Sequence, residues 1–199
     1  NAAVVNELCG DLEERGLDFQ QARLYVLDGA KALANAIRKR AGEAALIQCC
    51  QLHKRRNVLG HLPEEHQPFI EQKLAAAWAM FDYAEAKKAL EKVGEELERI
   101  NPSAARSLAE GLEETLTIHR LRVPEKLRKT LFSTNPIESA FSVVEDKCGR
   151  VKKWQGGDMK LRWVASGLLY VEGQFRKVKG YREIPQLIAA VKTLTAGGK

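Results

Sequence analysis

Asp28 and Glu138 are the two residues whose type and setting could carry chemistry. Asp28 ends the apolar run Leu24-Tyr25-Val26-Leu27 and precedes Gly29, a pattern that delivers a carboxylate to the C-terminal tip of a buried strand. Hard divalent ions of the Mg2+ kind take carboxylate oxygens. Cleavage of a phosphodiester by two such ions needs carboxylates fixed on rigid elements that converge from distant parts of the chain. Taken alone, an Asp-Gly after a strand equally marks a turn or a helix cap. Glu138 follows Asn135-Pro136-Ile137. With Asn135 as N-cap and Pro136 at the first helical position, Glu138 falls third, where a glutamate closes a capping box. A first-turn position also holds a carboxylate rigidly enough to ligate a metal, so both roles stay open. Glu145, seven residues on and on a similar helix face, competes for the ligand role.

Cys50-Gln51-Leu52-His53 has the spacing of half a zinc site. A structural zinc needs four ligands, and no second Cys/His pair at suitable spacing supplies them. We therefore read Cys50 as a buried cysteine and His53 as a hydrogen-bonded histidine near the end of a second strand. Lys54, Arg55 and Arg56 directly after it, and Arg150, Lys152 and Lys153 after the Glu138 helix, are candidates for phosphate contacts. Trp154 among them either stacks on an unpaired base or anchors a core. Trp78 lies in an apolar stripe and reads as core. Neither a Gly-rich phosphate loop nor a nucleophile elbow is present.

The elements that must position these groups follow from periodicity. Val4, Val5, Leu8 and Leu12 with a stop at Gly16 predict an amphipathic helix. Leu24–Leu27 predicts a strand, Ala32, Leu33, Ala36 and Ile37 a helix, and Ala44–Ile47 a second strand. Helix and strand in alternation imply a parallel α/β layer. After His53 the pattern is helical: one stripe runs through Ile70, Leu74, Ala77, Trp78 and Phe81, another through Ala86, Leu90, Val93, Leu97 and Ile100, and a third through Leu108, Leu112 and Leu116 to His119. Asp82 with Glu85 forms a capping box, and Asn101 caps a helix that opens with Pro102. The last third predicts a helix with the apolar face Ile137, Phe141, Val144 and Cys148, a basic loop 150–157, a long helix through Leu161, Val164, Leu168, Val171 and Phe175, and a closing helix 184–191. The resulting division is 1–60 for the α/β layer, 61–118 for a helical insertion, and 119–199 for the return to the core with basic C-terminal helices.

Charge and cysteine usage narrow the classes further. The chain has 199 residues and a net charge of +6. Residues 1–60 carry 9 basic and 7 acidic side chains, 61–118 carry 6 and 12, and 119–199 carry 17 and 7. A basic last third suits a polyanionic partner through counterion release, or else forms a solvated face. The 4 scattered cysteines do not form a disulfide framework and indicate a reducing, cytoplasmic setting. No apolar run is long enough to span a membrane. Asn1 in place of an initiator Met, with no leader after it, suggests an internal piece of a longer chain.

Three stretches taken together carry a family resemblance: Leu27-Asp28-Gly29-Ala30-Lys31-Ala32-Leu33, the run from Gln48 to Val58, and Ser133-Thr134-Asn135-Pro136-Ile137-Glu138-Ser139. In order and spacing they resemble the bacterial Mutator-type insertion-sequence transposases, from about Val4 to Tyr181. The resemblance implies an α/β, RNase H-like core with a large all-helical insertion, predominantly helical overall. It implies DDE chemistry with two Mg2+ or Mn2+ ions and no small-molecule cofactor, DNA (element ends and target) as partner, and a homodimer or higher oligomer. By the same resemblance Asp28 corresponds to the second catalytic Asp and Glu138 to the catalytic Glu. Cys50 and His53 correspond to the family's Cys-x-x-His element, and Asn135 shapes the turn that holds Glu138. The family's first catalytic Asp corresponds to a position before Asn1, so the expectation is a fragment inactive in isolation. A non-catalytic DNA-binding remnant and an Asp-dependent phosphohydrolase with a helical cap are the competing readings.

Overall fold

A computed structural model describes residues 2–154 and 156–196. The α/β layer comprises α1 (Ala2–Glu14), β1 (Arg23–Leu27), α2 (Lys31–Ala41), β2 (Ala45–Cys49) and α3 (Gln51–Leu59). The strands pair in parallel with Arg23 opposite Ala45 and Leu27 opposite Cys49, so both run toward the same end. Adjacent strand residues face opposite ways. Ile47 accordingly packs with Phe19, Ala36, Ile37 and Cys9 against α1 and α2, while Leu46 packs with Ile118, Leu121, Val123, Leu127 and Val191 on the other face. A sheet covered on both faces explains why these strands read as continuous apolar runs.

The helical body comprises α4 (Gln67–Ala79), α5 (Tyr83–Ile100) and α6 (Pro102–Ala109) packed on α3. Its core includes Val58, Ile70, Leu74, Leu90, Leu97, Leu108 and Leu116. Each such side chain contributes roughly 1.5–3 kcal/mol relative to exposure. The caps form as predicted at the N-cap side chains: Asp82 Oδ1 accepts from the amides of Ala84 (2.8 Å) and Glu85 (3.0 Å), and Asn101 Oδ1 from Ser103 (2.8 Å). The stripe through Leu108, Leu112 and Leu116 is not one helix. Gly111 takes φ +72°, and the chain divides into α6, α7 (Leu112–Thr115) and α8 (Thr117–Arg120). That break turns the chain back to the sheet. There the buried Gln48 amide donates to Thr115 O (2.9 Å) and accepts from Ile118 N (2.9 Å), and the Thr117 hydroxyl donates to Ile47 O (2.6 Å).

After α9 (Glu125–Leu131), the helices α10 (Asn135–Gly149) and α11 (Gly157–Glu172) pair with each other. Gly167 permits the approach, since a Cβ there would lie 3.2 Å from Val144 Cγ1. Of the predicted apolar face of α10, Val144 is buried, whereas Ile137 and Phe141 are about half exposed. On α11 only Val171 of the predicted stripe is buried. The stripe exists, but most of its large apolar side chains stay exposed. The last helix, α12 (Ile184–Ala196), returns to β1. Trp78 is core as predicted, 7% exposed, with its indole N–H donating to the Thr115 hydroxyl (3.1 Å). No helix among the described residues is long and apolar enough to cross a membrane.

Candidate active site

Asp28 stands one residue beyond β1, exposed, and its Oδ1 accepts from Ala30 N (2.8 Å). This is the local turn chemistry that the Asp-Gly pair suggested. Gly29 at φ +97° makes the turn possible, and a Cβ there would meet Cys49 Sγ at 3.3 Å. The pairing extends past the strands: Cys50 N donates to Leu27 O (2.7 Å), and Gln51 N donates to Phe132 O (2.9 Å). The second contact docks the segment preceding α10 onto the end of β2.

A polar cluster forms at that junction. Cys50 is fully buried. Its Sγ accepts from Thr134 N (3.5 Å) and lies 3.3 Å from His53 Nδ1. The Thr134 hydroxyl donates to Glu138 Oε1 and lies 3.3 Å from His53 Nδ1, which is 3.8 Å from the same carboxylate oxygen. A threonine has one hydroxyl proton, here given to Glu138. The contact between Thr134 and His53 is therefore a hydrogen bond only in the tautomer that carries its proton on Nδ1. Burial pushes the Cys50 thiol up, but hydrogen bonds from Thr134 and His53 outweigh it and leave the thiol below its ordinary value. Burial pushes the neighbouring Cys49 thiol up to about 11.

The position of Glu138 differs from the capping-box expectation. Thr134, not Asn135, is the N-cap residue of α10, without a side-chain cap bond. The Glu138 carboxylate takes the Thr134 hydroxyl rather than a backbone N–H. Asn135 is exposed, and its backbone N–H donates to the Ser133 hydroxyl (3.4 Å). Glu145 is exposed two turns further along, roughly 10.5 Å up the helix, and takes no part in the cluster. Asp28 and Glu138 are thus brought to the same end of the two-stranded sheet. Glu138 does not line the cavity that adjoins Asp28, and no group of three or more His, Cys, Asp or Glu side chains among the described residues is gathered to hold a metal.

The basic candidates divide. Lys54 is buried, and its ammonium donates to Ser107 O (2.7 Å) and Glu110 O at the end of α6. It satisfies carbonyls that the helix leaves open, so its ammonium is engaged within the protein at the wall of the cavity beside Asp28 and not held out on an open basic face. Arg55 is half-buried against Glu71 (3.1 Å). Arg56, Lys152 and Lys153 are exposed, and Arg150 lies 3.5 Å from Asp146. Trp154 is 39% exposed.

Two features escaped the sequence reading. Thr134 binds the Glu138 carboxylate from four residues upstream, a spacing that helical geometry makes legible. Lys31 and Arg38 on α2 face Glu110 and Glu114 across the cavity beside Asp28, a pairing across more than seventy residues with no local signal.

The family model described as "Transposase, Mutator family" matches residues 1–153. The chain is also 27% identical over 186 residues to the transposase for insertion sequence element IST2 of Acidithiobacillus ferrooxidans, covering 94% of this chain and 62% of that protein.

Proposed function

The chain belongs to the Mutator family of transposases, and on that premise we propose that it serves metal-dependent DNA cleavage and strand transfer of the DDE type, with Asp28 and Glu138 as two of the acidic residues. The observation that carries this reading is the anchoring of Glu138, through Thr134, His53 and Cys50, to the end of the strand paired with the one that Asp28 directly follows. The β1–α2–β2 unit, covered on both faces, is read as part of an RNase H-like layer, with the helical body inserted between β2 and α10. Both carboxylates offer the hard oxygen donors that Mg2+ or Mn2+ takes, but two donors do not complete a two-ion site. When bound, such ions activate the attacking oxygen and stabilise the leaving one.

The chain's own residues supply orientation. The Thr134 hydroxyl and His53 Nδ1 face Oε1 of Glu138, and we read Oε2 as the oxygen turned to a ligand. The Ala30 amide holds Oδ1 of Asp28 and leaves Oδ2. Arg55, Arg56, Arg150, Lys152, Lys153 and Asn135 remain the proposed contacts to the DNA backbone, which position DNA without reading its sequence. Lys54 takes the structural role described above. We propose the bacterial cytoplasm as the setting and a dimer or higher oligomer as the working form. The chain spans 62% of the length of the matched relative, and the whole protein's activity is proposed on that basis.

The test is strand transfer in Mg2+ by the transposase that contains this segment. Asp28→Asn and Glu138→Gln should each reduce it at least about 100-fold, the upper range for disturbing a ligand shell, with helical content unchanged. Unaltered strand transfer in both variants would leave the second reading, a non-catalytic DNA-binding module. The isolated chain is expected not to cleave DNA in Mg2+ or Mn2+, and cleavage by it would contradict that expectation.

A further inference from the structure

Beside Asp28 lies a cavity of about 390 Å3, between α2 and the end of α6, and its lining includes Lys31, Asn35, Arg38, Asn57, Glu110 and Glu114. Its size falls in the range of sites that take small ligands or single residues of a polymer. Two ion pairs cross it. Lys31 Nζ meets Glu110 Oε1 at 2.5 Å, and Arg38 Nη2 meets Glu114 Oε1. Lys31 opens α2 three residues after Asp28, and Arg38 lies seven residues further along the same helix face. That offset is roughly 10.5 Å along the axis, about three nucleotide rises of one DNA strand.

The acidic partners reach this cleft by a specific device. Gly111, at φ +72°, reverses the chain between them, and a Cβ there would lie 2.7 Å from Glu114 Oε2. Glycine at this turn lets Glu110 and Glu114 both project toward α2. The pairs themselves are weakly held: side-chain exposure is 77% and 58% for Lys31 and Glu110, and 46% and 33% for Arg38 and Glu114. Ion pairs this exposed contribute little to stability and exchange readily. An Arg fork and a Lys ammonium bind phosphate as well as carboxylate. The Asn35 and Asn57 side chains add neutral hydrogen-bonding groups to the lining.

We propose that this cleft is a binding site for the phosphodiester backbone of a DNA strand, with Lys31 and Arg38 as its cationic ligands and with the Glu110 and Glu114 carboxylates occupying the phosphate positions while DNA is absent. The proposal rests on the reading that DNA is the partner and deepens it by naming residues outside the basic segments. A strand entering the cleft exchanges two carboxylates for two phosphates and passes directly by Asp28. The acidic pair lowers affinity for stray polyanions and sets a threshold that only a correctly seated strand overcomes.

The test is the affinity of the chain for a short fluorescent single-stranded oligonucleotide of mixed sequence, measured over a salt series. Glu110→Gln with Glu114→Gln should tighten binding several-fold more than the control pair Glu64→Gln with Glu98→Gln, which removes the same charge from exposed positions outside the cleft. Lys31→Gln with Arg38→Gln should reduce the slope of log affinity against log salt by about 1.4, the value for two single-strand phosphate contacts. In the quadruple variant the gain from the Glu110 and Glu114 changes should vanish. The proposal is overturned if that gain equals the control's, if it survives without Lys31 and Arg38, or if the salt slope stays unchanged. Catalysis is read separately. A transposase that binds through the cleft but tolerates Asp28→Asn sinks the catalytic reading alone, whereas one that loses strand transfer on Asp28→Asn but shows equal affinity in all cleft variants sinks this one alone.

Discussion

At the scale of single residues, Thr134 decides how Glu138 behaves. A carboxylate on an exposed first turn would sample several rotamers, but one oxygen is held by the Thr134 hydroxyl with His53 Nδ1 alongside. Thr134→Val keeps the shape and removes the hydroxyl, so strand transfer in Mg2+ should fall about 10–100-fold, the usual effect of losing a partner of a metal-binding side chain. Thr134→Ser should restore most of it. A valine variant with full activity, or a serine variant as weak as valine, would show that the hydroxyl does not position the carboxylate. Lys54 shows the reverse relation between charge and role. Its location after β2 suggested phosphate, but the fold surrounds it with the open carbonyls of α6.

At the scale of elements, the helical body is set by local signals that agree with one another. The apolar face of α5 includes Ala86, Leu90, Val93 and Leu97, all buried, at the three- and four-residue spacing of one helix face. Asp82 caps that helix through two amides. Asp82→Ala should therefore cost about 1 kcal/mol of unfolding free energy, measured by urea denaturation, and a change below a few tenths would mean the cap is dispensable. The helices α10 and α11 are different. Their periodicity was legible, but Ile137, Phe141, Leu161 and Leu168 remain substantially exposed, because a stripe reports that a face is apolar and not what covers it.

At the scale of the whole molecule, the helical body is joined to the segment leading back to the sheet by His119 and Arg128. His119 is 1% exposed, with its Nε2 3.1 Å from Trp78 O, and Arg128 donates to Ala79 O (3.2 Å) and Met80 O (2.8 Å). Burial holds the His119 imidazole below its ordinary value, with the Arg128 charge adding to the effect. The folded protein therefore keeps His119 neutral at a pH where the unfolded chain has taken up a proton. Stability contributed by this group is intact above the ordinary histidine range, near 6.5, and is lost as pH falls below it toward the depressed folded value. Unfolding followed between pH 7 and 5 should show declining stability, and His119→Gln should flatten that decline. An identical slope in the variant would assign the acid sensitivity elsewhere.

From its sequence alone the chain determined what depends on near neighbours. The two strands, the caps at Asp82 and Asn101, the turn at Asp28-Gly29, the buried Cys50 and the three motifs that announced the family all rest on spacings of a few residues, which backbone geometry converts directly into structure. Tertiary structure alone decided which distant groups meet. It seated His53 beside Glu138, turned Lys54 toward Ser107 and Glu110, and set Glu110 and Glu114 against Lys31 and Arg38. Those pairings close loops of more than fifty residues, and their partners are selected by how the helical body packs on the sheet, for which no local pattern along the chain carries a record.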